Sequence, residues 1–285
     1  MISKEKIFSA LFLQLSCVIL TLSTGIFGGA PLLLLRRTAD TLNFIFLQLL
    51  TITIALYFKA QMLALMILCT SILILVFVAM EKKNILLKSV VAVLSSTAAF
   101  FFILFLWVHF KEGAQFWGWI STQVEFYFIQ AKTVIGEMSI TLETLTHQVP
   151  SLIVTLLALN LWIAVLFDSR AQRRMGTLRA QIEIKNFRTP DVFIWVIIVS
   201  LLFSFLKTPV PGLQEAALNV LNVSLLLYFF QGLSVLSFLM ENLNFGSLLK
   251  MIVYFIFIAQ LLLPICLGIL DFWLNFRNKI SKKAL

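Results

Sequence analysis

The side chains of this sequence best suited to metal or nucleophilic chemistry are two histidines, His109 and His147, three cysteines, Cys17, Cys69 and Cys266, and Asp271, an acid inside an apolar run. Their spacing assembles none of those chemistries. A zinc site needs His, Cys or Asp ligands close together on a turn or one helix face, and neither histidine stands at such spacing to a cysteine, an acid or the other histidine. The cysteines lie singly in apolar stretches, with no Cys-x-x-Cys pair, and read as small packing residues. No His-Glu-x-x-His helix, Gly-x-Ser-x-Gly elbow or Gly-x-x-x-x-Gly-Lys phosphate loop occurs. No catalytic residue, metal site or cofactor is therefore expected. Asp271 sits in Gly268-Ile-Leu-Asp-Phe-Trp273-Leu-Asn-Phe-Arg277. At membrane depth it could hold a proton or a cation, whereas near the interface it would pair with Arg277 or a basic loop. Trp273 and Arg277, both interface-type residues, favour the second reading.

Amides and a glycine-rich break are the stronger leads. Burying an unsatisfied amide in lipid is costly, so such groups turn toward partners or cavities. Asn219 and Asn222 lie one turn apart, followed by Gln231-Gly232, while Gln14, Asn43, Gln48, Asn160 and Gln260 are scattered over other apolar runs. Gln231 falls about half a turn round from Asn222, so the three line one pocket only if Gly232 marks a bend. Gly25-Ile-Phe-Gly28-Gly29-Ala30-Pro31 interrupts the first apolar run. A broken helix frees backbone groups for a solute, and a kink before a tight turn would look the same. The candidate solute-binding set is Gly28, Gly29, Pro31, Asn219, Asn222 and Gln231; the competing reading of the amides is interhelical hydrogen bonding.

The elements that must position these residues follow from composition. Of 285 residues, 61% are hydrophobic and 12% charged, with 28 Phe and a mean hydropathy of +1.02. A water-soluble fold of this length has too little interior to hide so much apolar surface, so the bilayer is the expected solvent. A crossing helix needs roughly 20 apolar residues. Regions 39–57, 60–80, 86–109, 149–168, 190–207, 214–240 and 248–275 meet or approach this, as does the broken run 7–35, which is one kinked span or a span with a short return. The reading is an all-α, polytopic transmembrane bundle of about eight spans, treated as one membrane domain over 1–285. Between them, 110–148 is too polar to cross but carries Phe116, Ile120, Val124, Tyr127 and Ala131 at helical spacing, which predicts an extracytoplasmic interfacial helix.

Charge sets orientation. The net charge is +9, but Lys and Arg cluster between apolar runs instead of forming a stripe among exposed polar residues, which argues against nucleic acid and for loops held on the cytoplasmic side. Arg170, Arg173, Arg174, Arg179, Lys185 and Arg188 make 169–189 a basic cytoplasmic loop, with the first four as candidate contacts for a partner protein or anionic lipid. Counting backward, Lys4 and Lys6 reach the cytoplasm only if 7–35 passes twice. The tail Arg277, Lys279, Lys282 and Lys283 does so only if 248–275 also breaks, at Pro264 to Gly268, in a half-pass or an interfacial tail, since about 42 Å of helix cannot cross twice.

Ala30-Pro31-Leu32 leading to Arg36-Arg37, Phe187-Arg188-Thr189-Pro190-Asp191 leading to Trp195, Tyr228 with Gln231-Gly232-Leu233, and Gly268-x-x-Asp271-x-Trp273-x-x-Phe276-Arg277 together resemble the YybS-like family of bacterial multispan membrane proteins. That family is in turn similar to the substrate-binding S components of energy-coupling factor transporters. The resemblance implies kinked helices around a cavity for a small solute, a location in the bacterial inner membrane, and a separate coupling subunit as partner. The Ala-x-x-x-Ala docking pattern typical of the first helix in S components is absent, because Ala10 is followed four residues later by Gln14. A non-transport scaffold holding a cytoplasmic partner through 169–189 is the alternative function.

Overall fold

The computed structural model describes residues 4–25, 27–80, 83–111, 118, 120–122, 124–126, 128–129, 141–175, 184–206, 210 and 212–277. Every regular element among them is helical, in two compact units, Met1–Ile182 and Glu183–Leu285. The single membrane domain expected from composition is thus built as two packing units. Among the described residues four helices are long and apolar enough to cross a bilayer, or five if one bent pair counts as a span. Of the other regions expected to cross, 39–57 and 190–207 form helices of 17 and 13 residues, and the apolar part of the first helix is Phe8–Thr24.

The first unit comprises α1 (Lys4–Thr24), α2 (Gly29–Thr38), α3 (Thr41–Tyr57), α4 (Gln61–Ala79), α5 (Ile85–Lys111) and α6 (Leu142–Met175). The first apolar run breaks where its glycines stand. Gly25 takes φ +69, a left-handed conformation that side chains other than glycine's resist, and Pro31 falls in the first turn of α2, where its missing N–H costs nothing. The chain also doubles back. A Cβ added at Gly28 would lie 3.3 Å from the Thr21 Cβ and 3.4 Å from the Cys17 carbonyl oxygen, whereas a continuing helix would carry residue 28 roughly 10 to 16 Å past them. Despite its 10 residues, α2 is interior, burying Gly29 to Leu33 and Leu35. Helix α6 runs straight through Pro150, so the expected span 149–168 starts two turns earlier and residues 142–148 belong to it. Most of the expected interfacial helix 110–148 otherwise lies outside the described residues.

The second unit has a 3-10 turn at Ile184–Asn186, then α7 (Phe193–Phe205), α8 (Leu213–Asn242), α9 (Ser247–Ala259) and α10 (Leu262–Leu274). Its axis is α8, continuous for 30 residues, with every residue from Tyr228 to Leu236 buried. A helix buried all round must be surrounded, and α7, α10 and the segment before α7 do this. Helices α9 and α10 meet at 96° across Gln260-Leu261, earlier than the break expected at Pro264 to Gly268. The proline instead occupies the third position of α10, where it is tolerated, and Gly268 serves close packing. None of the 13 residues of α9 is buried, while Pro264, Gly268 and Asp271 of α10 are.

Candidate functional site

In the first unit, three consecutive residues at the middle of α4 tie the other helices to it. The Cys69 carbonyl accepts the Ser96 hydroxyl of α5 at 2.6 Å. Thr70 accepts the Asn160 amide of α6 at 3.4 Å, and the Asn160 carbonyl oxygen in turn accepts the backbone N–H of Gly29 at 2.8 Å. Ser71 donates to Gln48 of α3 at 3.3 Å, and Gln48 and Gln14 of α1 exchange amide hydrogen bonds at 2.8 and 3.3 Å. All these residues are buried. Because Thr70 is the central residue of a 19-residue span, the polar layer lies about halfway through it. The N-terminus of a half-length helix opens into this layer, an arrangement that in membrane transporters places backbone donors near bound solute.

Nearer the end of α2, Arg37 pairs with Asp168 of α6 at 3.5 Å, the acid being almost fully buried. Asp168 closes an apolar run, so sequence alone gave it no weight; a buried acid on the helix that leads into a basic segment was the available signal. The backbone of α6 extends to Met175 and so takes in Arg170, Arg173 and Arg174. Their side chains, and Arg179 altogether, lie outside the described residues. Gln14, which stands where the docking pattern would need a small residue, is buried against Gln48 and Thr51.

The second unit gathers three of the sequence motifs around Gln231. The segment Phe187 to Pro190 is non-helical, yet Phe187 and Thr189 are buried. Its backbone is satisfied by side chains: Phe187 C=O accepts Ser234 Oγ at 3.1 Å and an Arg277 guanidinium nitrogen at 2.9 Å, and Thr189 N–H donates to Gln231 Oε1 at 3.0 Å. The Thr189 hydroxyl also donates to Gln231 Oε1. The Gln231 amide nitrogen reaches Asp271 Oδ2 at 3.3 Å, Arg277 lies 3.6 Å from the same oxygen, and Phe276 N–H donates to Asp271 Oδ1 at 3.1 Å. The Tyr228 hydroxyl, beside Thr189, is buried without a hydrogen bond of good geometry.

Asp271 pairs with Arg277, as in the plainer expectation, and its carboxylate is buried within the protein. Gln231, its neighbour, lies ten residues or about 15 Å along α8 from Glu241, which takes an exposed ion pair with Lys185. Helix α10 approaches α8 this closely because both contacts are glycines. A Cβ on Gly232 would fall 2.6 Å from the Pro264 carbonyl carbon, and one on Gly268 would fall 2.9 Å from Gly232 N. Asn275, left-handed at φ 47, ends α10 and turns Phe276 and Arg277 back onto Asp271.

The six candidate solute residues fall in both units. Gly28, Gly29 and Pro31 are buried in the first unit, and Asn219, Asn222 and Gln231 belong to the second. Helix α8 does not bend at Gly232, so Asn222 is exposed while Gln231 is buried. Asn219 donates to Glu215 C=O within its own helix. Thr189, Ser234 and Phe187 were missed because they lie in a linker or are too ordinary in type to signal depth. Among the described residues no group of three or more His, Cys, Asp or Glu could hold a metal ion.

The profile of the family described as Predicted membrane protein (DUF2232) matches residues 6–272. The chain belongs to that family. The DUF2232 match begins in α1, ends within α10 and so takes in the polar layer on α4 and most of the cluster on Gln231. No curated protein and no solved structure matches the chain.

Proposed function

We propose that this DUF2232 protein is a transport-related protein of a bacterial cytoplasmic membrane that binds a small polar solute inside its first helical unit. The observation that supports the reading is the doubled-back helix α2, whose first N–H enters the polar layer halfway along α4. Only protein groups or a bound molecule can satisfy such an amide away from water. With Asn160 turned aside, Gly29 N–H offers a donor to a solute carbonyl or carboxylate, and the Thr70 hydroxyl, which donates to Met66 C=O, offers an acceptor; the positive end of the short helix favours the carboxylate. A separate energy-coupling subunit, as in S components, would be the partner; Gln14, spent on Gln48, is not part of its docking surface.

The test is a melting-temperature screen of the purified protein against vitamins and metal ions, with mass spectrometry of the gently purified complex. A solute present at about 100 times its Kd adds about 2.7 kcal/mol. Asn160→Leu leaves the Gly29 amide without its protein partner and should not abolish that gain, whereas Thr70→Val, which removes the acceptor hydroxyl, should reduce it while leaving a monodisperse protein. If no small molecule copurifies and none raises the melting temperature, the reading fails.

A further inference from the structure

The cluster on Gln231 gathers several buried oxygens around the Arg277 guanidinium. Phe187 C=O, Asp271 Oδ2 and Gln231 Oε1 are buried together with the hydroxyls of Thr189 and Tyr228, the last of which has no well-formed hydrogen bond. The C-terminal end of α10 abuts the same place and adds the negative end of a helix dipole. Unwound carbonyls, a helix C-terminus and a carboxylate are the groups that hold cations in membrane transporters. The cation present here is covalently attached: one guanidinium nitrogen of Arg277 sits 2.9 Å from Phe187 O and 3.6 Å from Asp271 Oδ2.

We propose that the second unit contains a monovalent-cation site, built from Asp271, Phe187 C=O and Gln231, which the chain fills with its own Arg277 guanidinium. The inference is independent of the solute reading, which concerns the other unit. Oxygen ligands and a single carboxylate suit a singly charged ion; a divalent ion would face only one formal negative charge. Arg277 thereby makes the unit independent of sodium and ties three otherwise separate pieces, the unwound segment before α7, the middle of α8 and the end of α10. Two other ion pairs among the described residues of this unit, Lys185 with Glu241 and Arg188 with Asp191, are exposed. Exposed pairs contribute little and are screened by salt, so ionic strength must be held constant in the test.

The experiment is chemical rescue, read as melting temperature in detergent or nanodiscs. Arg277→Ala should melt lower than wild type, and millimolar methylguanidinium or sodium, set against choline at equal ionic strength, should restore at least half of the loss along a saturating curve. The double variant Asp271→Asn with Arg277→Ala should show no rescue. Wild type should melt equally in sodium and choline. Absence of rescue, equal rescue of the double variant, or a saturating sodium effect on wild type each overturns the proposal. If Arg277→Ala does not accumulate, Arg277→Lys and Arg277→Gln decide. The lysine variant should keep most of the stability and the glutamine variant lose it, while equal behaviour removes the need for a cation.

Discussion

The close approach of α10 to α8 allows a sharp prediction. Adding one methyl group in Gly232→Ala would put its Cβ 2.6 Å from the Pro264 carbonyl carbon and 2.9 Å from the Pro264 Cα. Both are backbone atoms, as is the still nearer Pro264 carbonyl oxygen, so no side chain can rotate away, and the helices must part by at least about 1 Å to restore ordinary contact. A gap of that size forfeits a quarter to a half of each facing dispersion contact, and overpacking of this kind typically costs about 1–3 kcal/mol. The same shift carries the Gln231 to Asp271 hydrogen bond beyond its present 3.3 Å and the Arg277 to Asp271 contact beyond 3.6 Å. Leaving buried polar groups poorly paired adds about 1–3 kcal/mol. The sum, about 2–6 kcal/mol, corresponds to a fall of roughly 5–20 °C in melting temperature for a chain of this size. Fluorescence-detected size-exclusion after a heating series measures it. Gly246→Ala is the matched control, because a Cβ there meets nothing within 4 Å, and it should stay within about 1 °C of wild type. If Gly232→Ala melts with the control, close α8–α10 packing does not govern the stability of the second unit.

Two further outcomes follow from the first unit. Gln14→Leu and Gln48→Leu should each lower the melting temperature, by about 0.6 to 2 kcal/mol, because each leaves the other amide short of a partner, and the double variant should recover part of the loss; simple additivity would show that the two do not interact. In a Cys266→Ser background, where both remaining cysteines are buried, a membrane-impermeant thiol reagent should reach Asp40→Cys and an N-terminal tag from one side of the membrane and Lys59→Cys from the other. Labelling of the N-terminal tag and Asp40→Cys from opposite sides would contradict a first apolar run that passes twice, and labelling of Asp40→Cys and Lys59→Cys from the same side would contradict a crossing by α3.

The features legible in the sequence were those set by composition and by single special residues. The apolar runs announced the helices, Gly25 the first break, and Asp271 with Arg277 the buried pair. What depended on partners distant in the chain was not legible. Nothing local distinguishes Asn160, which receives the Gly29 amide, from Asn222, which is exposed one turn after Asn219. Run lengths also misled: Pro190 and its neighbours were included in a crossing segment, but the helix begins only at Phe193, leaving 13 residues where about 20 are needed. The second late break moved to Gln260 because proline is a poor marker when it can sit in a first turn.

The breaks themselves differ in a way that bears on function. An uninterrupted span satisfies every interior backbone group without help, so an interruption inside a membrane is a loss that something must repair. At Gln260-Leu261 the repair is ordinary: Gln260 N–H bonds to Ile256 C=O and Leu263 N–H to Gln260 C=O, and the elbow is exposed. At Gly28-Gly29 and at Phe187 to Thr189 it is made by buried side chains from other helices, Asn160 in one unit and Gln231, Ser234 and Arg277 in the other. Interhelical hydrogen bonds worth about 0.6 kcal/mol each could be made between unbroken helices, so adhesion alone gives no reason to break the chain first and mend it afterwards. Exposing backbone donors and acceptors at controlled positions does give one. Side chains can let go of those groups when a solute or a cation replaces them, whereas a continuous helix cannot.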